Sequence, residues 1–198
     1  MEAISRAEFA VLDWISETRC PFLDGFFGVF SCLLEYGILW IALALLMLCS
    51  PKYRRCGMVL LVAMGVCLLL CSGILKPLLM RERPFRINGH SITFVKVPTD
   101  YSFPSGHSSQ AVLGAVVITM FHKKWALPTA AVAVFTCLSR LYFYVHFPTD
   151  VLGGALIGAS VGLCAVLLGK KYLPDGFLSY RKGEDIYGRK NSHHQSDL

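Results

Sequence analysis

His146 is followed four residues later by Asp150, with Pro148 forcing a turn between them. A carboxylate on one imidazole nitrogen fixes the tautomer and raises the basicity of the other, the arrangement of an attacking or proton-accepting histidine with its orienting partner. Taken alone, Asp150 would also serve as a helix cap. A second imidazole, His107, closes the stretch "PSGH", Pro104 to His107, which reads as a helix start capped by Ser105 or Ser102. Helix N-termini present unpaired N–H groups and the positive end of the dipole, and both suit phosphate. Gly106 lets an anion approach that backbone, Ser105 adds a hydroxyl donor, and His107 is placed to pass a proton. Positive charge comes from Lys76 and Arg83 in "KPLLMRERP", seven residues apart and so on one face of a helix, and from Arg140, whose fork holds two phosphate oxygens. Phosphoryl transfer needs this kit: charge compensation on the equatorial oxygens and in-line positioning. No acidic cluster suited to a divalent ion is visible, so neither metal nor cofactor is expected.

These residues must be held by elements built for lipid. The chain has 198 residues, 55% of them hydrophobic and only 16% charged, against about 25% charged in soluble domains. Apolar runs at Phe26–Cys49, Gly57–Leu75 and Val151–Gly169 approach or exceed the ~20 residues a bilayer span requires. Ser108–Phe121 and Trp125–Leu141 fit as shorter spans. The expected fold is therefore all-α, a polytopic membrane helix bundle of five spans. Residues 1–21 mix Ile4, Phe9, Leu12 and Trp14 with Glu2, Arg6, Glu8 and Asp13, the pattern of an interfacial amphipathic helix and not of a secretory signal. Residues 22–169 form the membrane core and 170–198 a basic polar tail in which His193 and His194 are ordinary tail residues. Most of the eight cysteines fall in or beside the apolar runs, where they act as small hydrophobes, and no zinc-ligand spacing appears.

The net charge of +6 does not point to nucleic acid, because the cations sort by membrane side. Lys52, Arg54, Arg55, Lys123, Lys124 and the tail fall on one side if the five spans alternate, and the positive-inside rule makes that side, with the C-terminus, cytoplasmic. Lys76, Arg81, Arg83, Arg86, Lys96 and Arg140 break the rule on the opposite face. Arg81 and Arg86 are explained by snorkelling to headgroups. Lys76 follows directly on "LLLCSGIL" and must be partly buried, at a point where Pro77 removes a helix bond toward Gly73. Glu35, a carboxylate inside the first span, is costly there; it stays outside the predicted site. The glycine-rich "GGALIG" and "GASVG" permit close helix contact, within one chain or between two, so no oligomeric state is predicted.

Three stretches carry a family resemblance: K-x6-RP from Lys76 to Pro84, PSGH from Pro104 to His107, and SR-x5-H-x3-D from Ser139 to Asp150. Complete and in order, they resemble the signature motifs of the type 2 phosphatidic acid phosphatase superfamily, which also contains vanadium haloperoxidases. The likeness covers about residues 22 to 169. Many relatives carry six spans, so five plus an interfacial helix is a departure. The resemblance implies a metal-independent phosphatase acting through a phosphohistidine, with His146 as nucleophile, Asp150 as its orienting partner and His107 as general acid and base. Lys76, Arg83, Ser105, Gly106 and Arg140 would bind the phosphoryl oxygens. The expected substrate is a lipid phosphate or diphosphate in the outer leaflet, met on the extracytoplasmic face. Undecaprenyl diphosphate is slightly preferred over phosphatidate or phosphatidylglycerophosphate. A lipid-phosphate binder or transporter would explain the cations and spans, but not the three catalytic side chains together. Haloperoxidases of this superfamily are soluble, unlike this chain.

Overall fold

The computed structural model describes residues 2–33, 35–90 and 95–173; most of the expected polar tail lies outside them. Among these residues the secondary structure is helical, with no strand. The helices are α1 (Glu2–Glu17), α2 (Pro21–Leu33), α3 (Ile38–Leu48), α4 (Arg54–Leu68), α5 (Lys76–Leu79), α6 (Pro84–Ile87), α7 (Gly106–Phe121), α8 (Ala126–Tyr142) and α9 (Pro148–Tyr172). Three helical stretches, Arg54–Ile87, Lys123–Tyr142 and Pro148–Tyr172, are long and apolar enough to cross a membrane. Pro21–Cys32, Ile38–Leu48 and Gly106–Phe121 are apolar but shorter.

The first expected span is divided. A turn of 3₁₀-helix at Glu35–Gly37 separates α2 from α3, and Gly37 takes φ +73°, a left-handed conformation open to glycine at little cost. The next span is continuous but irregular. α4 runs into a π-helical stretch, Leu69–Leu75, in which the Lys76 N–H reaches back to the Cys71 carbonyl. Pro77 has no N–H to offer the preceding turn, and the wider π turn absorbs that loss just before the lysine. Helical geometry is interrupted at Met80, φ +43°, and resumes in α6.

α7 and α9 pack backbone to backbone because α9 presents glycine where α7 comes nearest. A Cβ added at Gly154 would lie 2.4 Å from the Ser105 carbonyl oxygen, and one at Gly158 2.1 Å from that of Ser109. The glycine-rich run is thus used for contact inside the chain. The Ser105 N–H donates to the Asp150 carbonyl at 3.0 Å, tying the start of α7 to the start of α9. Trp40, Leu60, Met64, Leu113, Val117 and Val166 form the main apolar core. A second cluster joins Leu12 of α1 to Phe85 and to Tyr142–Phe147, so α1 covers the segment that carries His146.

The glycine contact predicts a graded response. Gly158→Ala must push two backbones apart and is expected to destabilise by about 1–3 kcal/mol, read as a lowered thermal midpoint in detergent. Gly65→Ala, where nothing lies within 4 Å, should be neutral or slightly stabilising.

Candidate active site

α7 starts at Gly106 because Ser105 caps it: the Ser105 hydroxyl oxygen accepts from the Ser108 N–H at 3.4 Å and the Ser108 hydroxyl at 2.9 Å. This delivers His107 to the wall of a cavity of about 570 Å³. Lys76, Arg83, Gly106, Arg140 and His146 line the same cavity, with Asp100 and Glu35 among the other lining residues. Of the predicted residues, Ser105 and Asp150 stand behind this wall, both fully buried. The remaining six meet on it.

The three cations are deeply buried, with relative exposures of 6% for Lys76, 2% for Arg83 and 4% for Arg140. Arg83 is fixed on several sides. Its Nη1 donates to the Val145 carbonyl at 2.8 Å, its Nε to the Asp100 carbonyl at 2.9 Å and its Nη2 to Asp100 Oδ1 at 2.6 Å. Asp100 Oδ2 accepts from Lys76 Nζ, so one carboxylate bridges two of the cations. Partial burial pushes the Asp100 carboxyl up, but the Lys76 hydrogen bond and the charges of Lys76 and Arg83 outweigh this and bring it down to about 2. Arg140 differs. Its Nε donates to Ser139 Oγ at 3.1 Å, while its Nη2 is buried with no hydrogen-bond partner among the described residues. His107 Nε2 is likewise buried and unpartnered.

His146 is held in one tautomer. Arg83 Nη1 lies 3.2 Å from its Nε2, and a guanidinium only donates, so Nε2 is the acceptor and the proton sits on Nδ1. Nδ1 faces Asp150 Oδ2 at 3.6 Å, beyond hydrogen-bond range. Ser102 bridges the gap: its hydroxyl donates to Asp150 Oδ2 at 2.5 Å and lies 3.4 Å from His146 Nδ1. Asp150 Oδ2 also accepts the Phe147 N–H at 2.9 Å, the helix-start contact expected of this aspartate. Burial, reinforced by the charges of Arg83 and Lys76, outweighs Asp150 and pushes His146 down to about 3. A neutral imidazole with its lone pair on Nε2, held here by Arg83, is the form able to act as a nucleophile.

Several participants went unread in the sequence. The sequence marks Ser102 only as a cap and gives Asp100 no role. Arg81 is no snorkelling cation: its Nη1 donates to Asp150 Oδ1 and its Nη2 to Glu8 Oε2, each at 2.6 Å. Arg86 is exposed, its Nη2 donating to the Pro98 carbonyl at 3.0 Å. Glu35 lines the cavity after all. Tyr142 and Tyr144 are buried, bonded to Asp24 and Asp13 at 3.0 and 2.6 Å. The signal available beforehand was Asp100 itself, an anion placed among unexplained cations.

The family model of the PAP2 superfamily matches residues 56–173. The undecaprenyl-diphosphatase of Sulfolobus acidocaldarius is 31% identical over 142 residues, covering 70% of this chain and 68% of its own length. The lipid A 4'-phosphatase of Porphyromonas gingivalis is 30% identical over 173 residues, covering 82% of this chain and 72% of its own. Among solved structures, the transmembrane PAP2-type phosphatidylglycerolphosphate phosphatase from Bacillus subtilis superposes with a TM-score of 0.72 at 25% identity, over 87% of this chain and 89% of that one.

Because Asp100 stays ionised at every working pH, it competes with any anion for Lys76 and Arg83. Asp100→Asn is expected to bind inorganic phosphate about three- to tenfold more tightly at pH 7, the scale of one partly exposed charge-assisted hydrogen bond. Calorimetric titration in detergent checks this, and weaker binding would contradict it.

Proposed function

The chain is a membrane lipid phosphatase of the PAP2 superfamily, and from that premise we propose that it cleaves its substrate through a phosphohistidine on His146. The observation that carries this reading is the pair of buried, unpartnered nitrogens, Arg140 Nη2 and His107 Nε2, on residues that line one cavity with His146. Unpaired buried polar atoms are costly. A phosphoryl group in this cavity would give Arg140 its missing acceptor, and the leaving oxygen would do the same for a protonated His107.

In the proposed reaction His146 Nε2 attacks phosphorus as the bond to the leaving oxygen breaks. His107 donates its proton to that oxygen, releasing the dephosphorylated lipid. The Nδ1 proton of His146 stays on the ring, directed at Ser102 and Asp150, which balance the positive charge formed on the phosphoimidazole. His107 then takes a proton from water as its oxygen attacks phosphorus, the P–N bond breaks, and inorganic phosphate leaves. Lys76, Arg83 and Arg140, with the Gly106 N–H at the α7 terminus that Ser105 caps, compensate the equatorial oxygens. Asp100 gives way as phosphate engages its two cations.

The substrate assigned here is a lipid phosphate or diphosphate, with an isoprenoid diphosphate first. The relative from Sulfolobus supports that choice, while the relatives from Porphyromonas and Bacillus act on other lipids by their names. The positive-inside distribution supports an outward-facing site that meets its lipid in the outer leaflet. Residues 22–169 are assigned as the catalytic core, with α1 packed against it.

The test is phosphate release by purified protein in detergent with EDTA present, on undecaprenyl diphosphate, phosphatidate and phosphatidylglycerophosphate. Release is expected to survive EDTA, to be fastest on the isoprenoid diphosphate, and to fall by at least about 10³-fold in His146→Ala. No release from any substrate by folded protein would favour a lipid-phosphate binder instead.

A further inference from the structure

We propose that Glu8 of α1 and Arg81 form a positioning pair that fixes Asp150, and through Asp150 and Ser102 the His146 ring, making the N-terminal helix part of the catalytic apparatus. This rests on the function proposed above.

Asp150 is fully buried, and its two oxygens are divided between two kinds of partner. Oδ2 takes the short-range contacts, from Ser102 Oγ and the Phe147 N–H. Oδ1 takes Arg81 Nη1 at 2.6 Å. Arg81 is in turn clamped. The same nitrogen reaches Thr149 Oγ1 at 2.6 Å, its Nη2 reaches Glu8 Oε2 at 2.6 Å, and its guanidinium carbon sits 4.1 Å from the Phe147 ring centroid. Glu8, 5% exposed, spends its other oxygen on α9, where Oε1 accepts the Thr149 N–H at 3.1 Å and the Thr149 hydroxyl at 2.5 Å. Carboxylate, guanidinium and carboxylate thus form a closed chain from α1 to the start of α9. Thr149, just before Asp150, and Phe147, just after His146, are held by it as well.

Neither Glu8 nor Arg81 lines the cavity, so the pair acts on the reaction only through others. Its task follows from the 3.6 Å between His146 Nδ1 and Asp150 Oδ2. A buried aspartate beside a histidine would close on it and favour the imidazolium, which cannot attack. Arg81 draws Asp150 from the far side and balances its charge. Glu8 fixes Arg81 and balances that charge in turn. The other charged or titratable groups around His146 and its cavity are Lys76, Arg83, Lys96, Arg140, Glu35, Asp100 and His107. Arg83 and Lys76 oppose the imidazolium already, so Asp150 is the group whose balance matters.

The test uses the full chain in detergent and two variants, Arg81→Met and the near-isosteric Glu8→Gln, beside wild type and His146→Ala. kcat is expected to fall by about 10- to 100-fold in Arg81→Met and about threefold in Glu8→Gln, with KM within about twofold in both, because misplacement affects the attacking group and not phosphate binding. With Arg81 gone, unbalanced Asp150 favours the protonated histidine, so the acid limb of kcat/KM moves to higher pH, by at least about half a unit. Arg81→Lys should recover part of kcat and return the limb toward wild type. A merely structural role would reduce the folded fraction and leave the limb in place. Should Arg81→Met fail to fold, Glu8→Gln decides the matter. Unchanged kcat and an unchanged limb overturn the proposal and leave the His146 reading standing, whereas a wild-type protein that releases no phosphate overturns both.

Discussion

Three cations buried beside one cavity are the constraint on which the rest of the structure depends. An unpaired charge in a low-dielectric interior costs several kcal/mol even after relaxation, and Lys76, Arg83 and Arg140 are almost fully withdrawn from solvent. Two of them are compensated by Asp100 and by backbone carbonyls. The third keeps a guanidinium nitrogen without a partner. Burial, reinforced by like charges gathered so closely, opposes further positive charge, which is why His146 is neutral. The same gathering suits a phosphoryl group, whose oxygens bring the negative charge that the cavity lacks.

The scaffold follows from the need to hold those groups at fixed spacing. A π-helical stretch ends at Lys76 and turns a proline-interrupted span into a platform for a buried amine. Glycines on α9 let α7 approach until backbone meets backbone, bringing the His107 turn beside the His146–Asp150 turn. α1 closes the polar end of the bundle over Tyr142–Phe147.

Much of this was legible in the sequence because motif spacing survives folding. Lys76, Arg83, Gly106, His107, Arg140 and His146 were expected around one site and meet at one cavity wall. The apolar runs gave the helical membrane class. What could not be read was relational. Asp100 looks like any loop carboxylate until Lys76 and Arg83 are seen on either side of it. Ser102 looks like a cap until it stands between Asp150 and His146. Glu8 and Arg81 are 73 residues apart, each with a sufficient local explanation, and only tertiary packing brings them together. The division of the first span failed to show because the run is apolar on both sides of it, although Glu35 and Gly37 marked the spot.

The central claim is covalent: phosphorus passes through His146. It is tested most directly by rapid acid-free quenching of His107→Ala with a radiolabelled phosphate-bearing substrate whose leaving group is good enough to depart without the general acid. The account predicts an acid-labile, alkali-stable label on the peptide that contains His146, lost in the His107→Ala/His146→Ala double variant. Phosphate released without any labelled peptide, or a label on another residue, would contradict it.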